Sequence, residues 1–313
     1  MVMVVLLHSS YSANGWPSTL DLSTASLSLI ECFSIIAVNV FVLITGYFST
    51  TLKRQSLFSF LFIVFFYGVI KIIFQLLSGC FKYSSLLILT NQNWFVLCYL
   101  CLILLSPIVN EWIKHTNRKQ LGRTIILLFT VQTITDFFPG IGEIFNKGCS
   151  PLSFLNIYLL GRYVNLYGGG IFFYHSKLIY FSSSILLFMG CTVILYFQMP
   201  QIALFHWLYY SNPLIIISAL SFFGIFAIMR ERHNRIINHL ASSCLAILLL
   251  HVPLNAPLWP TMEAYYKSVL SRDFNLLSKC VLWFLGIIVL FAVSIAIDQI
   301  RIKLWRYMNY YKK

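Results

Sequence analysis

Charged residues are scarce in this chain. They make up 10% of the 313 residues, and only nine of them are acidic, whereas 59% of the residues are hydrophobic. The mean hydropathy is +0.82. A soluble domain of this size cannot keep so apolar a composition in water. The sequence therefore predicts a protein that is embedded in a lipid bilayer.

The common catalytic motifs are also missing. The chain has no GxSxG elbow, no HExxH zinc motif, no phosphate-binding loop and no Ser/His/Asp order. Cys98 and Cys101 form a CxxC, but no second pair or neighbouring histidine accompanies them, and the other six cysteines are scattered. We therefore expect no metal site and no bound cofactor.

Long apolar runs are the main feature that is present. Their length, close to the roughly 20 residues that a helix needs to cross hydrocarbon, predicts an all-α polytopic membrane protein with one domain over residues 1–313. A stub at 1–12 and nine spans give about ten transmembrane helices. The spans lie near 30–49, 57–78, 94–113, 122–138, 152–167, 178–198, 211–229, 240–255 and 276–299. The stub is too short to span, so we expect the first helix to be truncated at its N-terminus.

Basic residues alternate between the two sides of this topology. If the C-terminus is cytoplasmic, five lie outside: Lys82, Lys147, Lys267, Arg272 and Lys279. Sixteen lie inside: Lys53, Arg54, Lys114, Arg118, Lys119, Arg123, Arg162, Lys177, Arg230, Arg232, Arg235, Arg301, Lys303, Arg306, Lys312 and Lys313. This bias is the positive-inside rule, and it predicts that both termini are cytoplasmic. It also explains the net charge of +13 without a nucleic-acid partner.

The longest outer segments, 13–29 and 256–275, are interpreted as loops that carry aromatic residues. These are Trp16, Trp259, Tyr265 and Tyr266. Aromatic rings at this depth form an interfacial belt in most membrane proteins, and a sugar-binding platform is the alternative.

His8 is an ionisable residue at the end of an apolar run. Polar groups inside a bilayer are costly and commonly face a functional partner. Burial keeps an imidazole neutral, which is the state that a general base requires. The alternative is a helix-end histidine at the headgroup level. Among the other ionisable residues, Asp298 and Arg301 are expected to pair, and Lys71 is expected to find a carboxylate or carbonyl partner.

The sequence offers one candidate base and no obvious nucleophilic side chain. This combination favours acyl transfer from an activated thioester to an alcohol. In that reaction the base removes the hydroxyl proton, and polar groups stabilise the oxyanion. The enzyme supplies little beyond placement of the reactants.

Five segments, in order along nearly the whole chain, resemble the membrane acyltransferase 3 family of bacteria. They are VMVVLLHS at 2–9, NVFVLITGYF at 39–48, NWF at 93–95 with LSPIVN at 105–110, YLLGRY at 158–163 and SSCLAILLLH at 242–251. The family's first-helix motif has a basic residue eleven positions before a histidine. His8 matches that histidine, and the basic residue falls before Met1. Thr45-Gly46-Tyr47 stands where the family has Ser-Gly-Phe/Tyr.

The resemblance implies a ten-helix enzyme of the bacterial inner membrane. Such an enzyme moves an acyl group, commonly acetyl from acetyl-CoA, to a hydroxyl of a surface glycan or its lipid-linked precursor. His8 is then the catalytic base, and the residues expected to bind substrate are Ser9, Asn39, Thr45, Tyr47, Trp94, Arg162 and His251. Lys53 and Arg54 are expected to contact the CoA phosphates. The competing interpretation is that these basic residues only obey the positive-inside rule.

Two other functions fit the same topology. A transporter or flippase for a lipid-linked or small amphipathic substrate would also have ten helices, His8 and Lys71 in the membrane. A polysaccharide polymerase commonly has a large outer loop, and no outer loop predicted here exceeds about twenty residues. The ordered segments favour the acyltransferase.

Overall fold

The computed structural model describes residues 1–88, 94–138, 144–230, 233–252 and 256–310, with the side chains of 309 and 310 left out. Asn93, Arg232, Lys312 and Lys313 therefore lie outside the described residues. Within those ranges the chain is helical and has no strand, which confirms the all-α prediction. The first eight α-helices are α1 Val2–Leu7, α2 Leu22–Ser34, α3 Ala37–Tyr47, α4 Arg54–Leu77, α5 Trp94–Lys114, α6 Arg118–Phe137, α7 Pro151–Tyr167 and α8 Gly170–Tyr174. The others are α9 Ser176–Tyr196, α10 Gln201–Trp207, α11 Pro213–Ala227, α12 Arg235–Ser242, α13 Cys244–His251, α14 Trp259–Ser271 and α15 Leu276–Tyr310.

Five helices in the described part are long and apolar enough to cross a membrane. They are Leu22–Tyr47, which joins α2 and α3, Arg54–Leu77, Trp94–Lys114, Ser176–Tyr196 and Leu276–Met308. Val2–Ser12 and Pro213–Ala227 are shorter apolar helices. The chain is thus a membrane protein, and the count of about ten spans stays a prediction.

Several predicted elements have different bounds in the structure. The first long span begins at Leu22, inside the predicted outer loop 13–29, and the last helix continues beyond residue 299 to Tyr310. The span 240–255 is divided at Ser243 into α12 and α13, because the Ser243 backbone (φ −99°, ψ 6°) leaves the helical range. The outer loop 256–275 contains helix α14, whose buried Met262, Tyr266 and Val269 recur at helical spacing.

The described chain separates into two compact units. Unit 1 comprises Met1–Gly15, Lys53–Asn93 and Glu231–Lys313, and unit 2 comprises Trp16–Leu52 and Trp94–Arg230. Both candidate histidines, His8 and His251, lie in unit 1. The single domain over 1–313 stays a prediction.

A buried ionic network joins three elements of unit 1. Arg301 donates to both oxygens of Asp298, at 2.6 and 2.9 Å, which confirms the predicted i, i+3 pair. Tyr67 of α4 and Ser243, the residue before α13, each donate a further hydrogen bond of 2.7 Å to the same carboxylate. The network therefore fixes the start of α13 against α4 and α15. The partner expected for Lys71 is missing, since its buried Nζ has no hydrogen bond within the described ranges.

Helices α3 and α7 of unit 2 cross at two glycines. A Cβ on Gly161 would lie 2.5 Å from the Leu43 carbonyl oxygen and 3.1 Å from the Gly46 Cα. Small residues permit such backbone contact between membrane helices. The close crossing places Thr45 and Tyr47 beside the part of α7 that carries Arg162.

We expect Gly161→Ala to destabilise unit 2 by about 1–3 kcal/mol, because the added methyl group overlaps backbone that cannot move alone. Thermal unfolding of the purified protein in detergent measures the effect. Gly122→Ala is the matched control, since the nearest atom to its Cβ is Tyr163 Cε2 at 3.5 Å. Equal melting temperatures for the two variants would contradict this account of the crossing.

Candidate active site

The first apolar helix changes its winding at His8. Residues His8–Ser12 form a π-helical segment, and Ser10 has non-helical angles (φ −83°, ψ −116°). Asn14 compensates, because its Nδ2 donates to the carbonyl oxygens of Ser9 and Ser10 at 2.9 and 3.1 Å. Short π-helical segments occur frequently at functional sites, where they re-aim side chains. His8 is the first residue of this one.

A second imidazole faces His8. The ring centroids of His8 and His251 are 5.0 Å apart, and the rings are tilted by 51°. His251 is fully buried, whereas His8 is half-buried. The structure therefore brings together the predicted base and one of the predicted substrate-binding residues.

One hydrogen bond of His251 fixes the tautomer of its neutral ring. Its Nδ1 lies 2.5 Å from the Ile247 carbonyl oxygen. A carbonyl only accepts, so Nδ1 carries the proton and Nε2 of the neutral ring holds a lone pair. Among the described residues, neither His251 Nε2 nor His8 Nδ1 has a hydrogen-bond partner. Unpaired buried polar atoms are costly, and a ligand that supplies a hydroxyl would satisfy them.

Ser9 holds the backbone beside His8 in place. It is fully buried, and its Oγ donates to the Leu6 carbonyl oxygen at 2.8 Å. The same Oγ accepts a 2.9 Å hydrogen bond from Trp283 Nε1 of α15. The Trp283 ring in turn packs on Tyr266 of α14, with centroids 4.8 Å apart. Ser9 is predicted to bind substrate, but its hydroxyl already has two partners and a positioning role fits it better.

Sequence reasoning missed Trp283 as a functional residue and placed Tyr266 only in an aromatic belt. A signal for Trp283 exists, because an indole N–H inside an apolar run needs an acceptor. The sequence does not tell which acceptor that is.

Lys53 and Arg54 lie at the start of α4 in unit 1. Both are exposed, and the Arg54 guanidinium lies 5.6 Å from the centroid of the Phe58 ring. Within the described part of the chain neither forms an ion pair. Both side chains are accessible to a soluble anion, as the predicted CoA contact requires.

The other five predicted site residues lie in unit 2. Asn39 and Trp94 meet at Tyr210: Asn39 Nδ2 donates to the Tyr210 carbonyl oxygen at 3.0 Å, and the Trp94 and Tyr210 rings are 5.9 Å apart. Thr45 Oγ1 donates to the Phe41 carbonyl oxygen at 3.0 Å and lies 3.3 Å from the Tyr99 hydroxyl.

Tyr47 and Arg162 lie near the crossing of α3 and α7. The Tyr47 ring packs on Phe223, with centroids 5.1 Å apart. Arg162 donates a 3.4 Å hydrogen bond to Asn165, and its buried Nε has no partner in the described ranges. Their substrate contacts stay predictions. The described residues contain no group of three His, Cys, Asp or Glu side chains that could hold a metal ion.

A family model described as an acyltransferase domain matches residues 1–298. That range includes every predicted site residue. No curated protein and no solved structure matches the chain.

Proposed function

This chain belongs to the membrane acyltransferase 3 family, and we propose that it transfers an acyl group from acyl-CoA to a hydroxyl of a cell-surface glycan or its lipid-linked precursor. Acetyl-CoA is the proposed donor. The observation that carries the proposal is the His8–His251 pair, in which each ring has one buried nitrogen without a hydrogen-bond partner among the residues that the structure describes. An acyltransferase needs a donor and an acceptor, and both must reach this pair.

His8 acts as the general base in this proposal. It takes the proton of the acceptor hydroxyl while the hydroxyl oxygen bonds to the thioester carbonyl carbon. The resulting oxyanion collapses, the carbon–sulfur bond breaks, and the CoA thiolate takes the proton from the His8 imidazolium. The products are an ester and CoA–SH, and both imidazoles end neutral. His251 stabilises the imidazolium stage, since its lone pair offers a hydrogen-bond acceptor in a site of low dielectric.

The proposed setting is the bacterial inner membrane, with both termini in the cytoplasm. The basic inner loops support this orientation, because they are enriched in Lys and Arg relative to the outer loops. The donor then approaches from the side of Lys53 and Arg54. The acceptor reaches the site within the membrane or from its outer face.

Transfer of label tests the proposal. Membranes that contain the chain and membranes that lack it receive acetyl-CoA labelled in the acetyl group, and label in the glycan and lipid-linked fractions is counted. We expect label in one of these fractions only when the chain is present, with release of an equal amount of CoA thiol. Stable, inserted protein that moves no label from acetyl-CoA or from longer acyl-CoA donors would instead favour a transporter.

The donor contact predicts a change in the apparent affinity for acyl-CoA. Replacing Lys53 and Arg54 together by Gln should raise KM for acetyl-CoA about 100-fold or more, because two charge-assisted hydrogen bonds to phosphate are lost and each costs roughly 1.5–3 kcal/mol. The KM for the acceptor should not change. Steady-state rates at varied donor concentration measure both constants.

Lys303→Gln with Arg306→Gln is the matched control, since these exposed residues of α15 carry the same two charges. An equal rise in donor KM for both pairs would mean that only the general positive charge matters.

A further inference from the structure

Lys71 is a buried cation to which the proposed reaction assigns no role. Its side chain is 7% exposed, and its Nζ has no hydrogen-bond partner within the described ranges. It lies in α4, roughly 25 Å along the helix axis from Arg54 at 1.5 Å per residue. In the proposed orientation α4 starts at the cytoplasmic face, so Lys71 lies in the outer half of the membrane. A charged side chain at that depth is costly unless it is paired, and it commonly marks a binding site.

No described carboxylate neutralises the charge of Lys71. The ion pairs of the described residues do not include Lys71. The charge of Lys82 acts on Lys71, and it is also positive. This end of α4 therefore lacks a negative charge, which a bound anion would supply. The described acidic residues of unit 1 are Asp298 and Glu263, which pair with Arg301 and Lys267, and the exposed Asp273.

Gln75 adds a second unpaired polar atom one turn further along α4. Its Oε1 is buried and has no hydrogen-bond partner in the described part of the chain. Residues four apart are neighbours on the surface of a helix. A hydrogen bond between Lys71 and Gln75 would satisfy the amide oxygen, but the ammonium charge would still be uncompensated. The two side chains therefore fit a ligand that carries an oxyanion and also donates a hydrogen bond.

The chain after α4 folds back onto the helix beside this pair. Gly68 lies one turn before Lys71, and a Cβ there would be 2.5 Å from Ile88 Cγ2. The returning segment includes the short turn Tyr83–Leu86, whose Ser85 is 2% exposed. The absence of a side chain at Gly68 thus permits the close packing of residues 83–88 on α4, next to the turn that carries Lys71.

We propose that Lys71 and Gln75 bind an acidic saccharide. The Lys71 ammonium pairs with its carboxylate or phosphate, and the Gln75 Oε1 accepts a hydrogen bond from a sugar hydroxyl. This inference rests on the proposed function and assigns an acidic sugar to the acceptor. A saccharide fits both side chains, because it carries hydroxyl donors beside its acidic group, whereas a phosphodiester has no donor for Gln75. The CoA phosphates are placed at the opposite end of α4.

Ligand-induced stabilisation tests binding without any need for catalysis. The purified chain in detergent is titrated with sodium glucuronate, and glucose with sodium chloride at equal ionic strength is the neutral probe. We expect glucuronate to raise the melting temperature by about 2–4 °C and glucose to leave it unchanged. Lys71→Met should raise the apparent dissociation constant for glucuronate at least tenfold, and Gln75→Leu should raise it severalfold. Lys303→Met is the matched control, because Lys303 is an exposed lysine of α15 in the same unit.

The stability of the ligand-free protein separates a binding role from a structural role. Lys71→Met removes an unpaired buried charge and keeps a long unbranched side chain, so this variant should melt above the wild type. A Lys71→Met protein that melts lower or fails to fold would overturn the inference, since Lys71 would then support the fold.

Two further results would also overturn it. One is equal glucuronate affinity for Lys71→Met and Lys303→Met. The other is stabilisation through Lys71 by decyl phosphate but not by glucuronate, which would place the anion on a lipid instead of a sugar.

An activity measurement distinguishes this inference from the proposed function. Lys71→Met should raise KM for an acidic acceptor about tenfold and leave KM for acetyl-CoA unchanged. Transfer that is unaffected by Lys71→Met refutes only the acidic-sugar site. Glucuronate binding that depends on Lys71, in a chain that transfers no label, refutes only the acyltransferase reaction.

Discussion

His8→Ala is expected to lower acyl transfer by at least about 100-fold, because a positioned general base contributes roughly 10²–10⁴ to the rate. The imidazole is replaced by a methyl group that cannot take the hydroxyl proton. The π-helical backbone is held by Ser9 and Asn14 and not by the His8 ring, so the protein should stay folded. Initial rates with labelled acetyl-CoA measure the loss.

His239→Ala is the matched control for this prediction. His239 is an exposed histidine of α12 in the same unit, so its removal should leave the rate unchanged. Circular dichroism and the yield from detergent show whether each variant is folded. A folded His8→Ala protein with the wild-type rate would remove His8 from the mechanism.

Asp298→Ala is expected to destabilise unit 1 by about 3–5 kcal/mol, since it leaves a buried cation without its partner. Asp298 is fully buried and Arg301 is 6% exposed. The substitution also removes the acceptor for Tyr67 and Ser243, so the start of α13 loses its fixed position. Thermal unfolding in detergent measures the loss of stability.

A double variant separates loss of the ion pair from general damage to packing. Asp298→Leu with Arg301→Met removes both charges and keeps similar side-chain volume. Replacing a buried pair by apolar residues is often neutral. The double variant should therefore melt above Asp298→Ala. If it melts as low as the single variant, the cost of Asp298→Ala does not come from the unpaired arginine.

The sequence was sufficient to predict the all-α fold class and the family. It also names His8 and His251 separately as candidate site residues, whose roles stay predictions. Hydropathy and charge asymmetry depend only on composition along the chain. A bilayer requires apolar spans and favours basic cytoplasmic loops, so both features can be recognised in the sequence. The contact between His8 and His251 was not predicted, because it depends on how α13 packs against the first helix, and spacing within one helix holds no information on that packing.

The missed elements have local causes. The break between α12 and α13 occurs at Ser243, whose side chain donates to Asp298. A hydropathy profile is averaged over a window of many residues, so it does not show a break at one residue. Helix α14 lies in the segment 256–275, which the apolar runs on either side predict to be an outer loop. Its signal was present, since Pro260 lies in the first turn and Met262, Tyr266 and Val269 form one apolar face.

The most direct test of the account is a double-mutant cycle on the two histidines. Rates of labelled acetyl transfer are measured for His8→Ala, His251→Ala and the double variant, each corrected for the amount of folded protein. If the two imidazoles act as one catalytic unit, the double variant is no slower than the slower single variant. Losses that multiply, or a His251→Ala protein with the wild-type rate, would contradict a shared site.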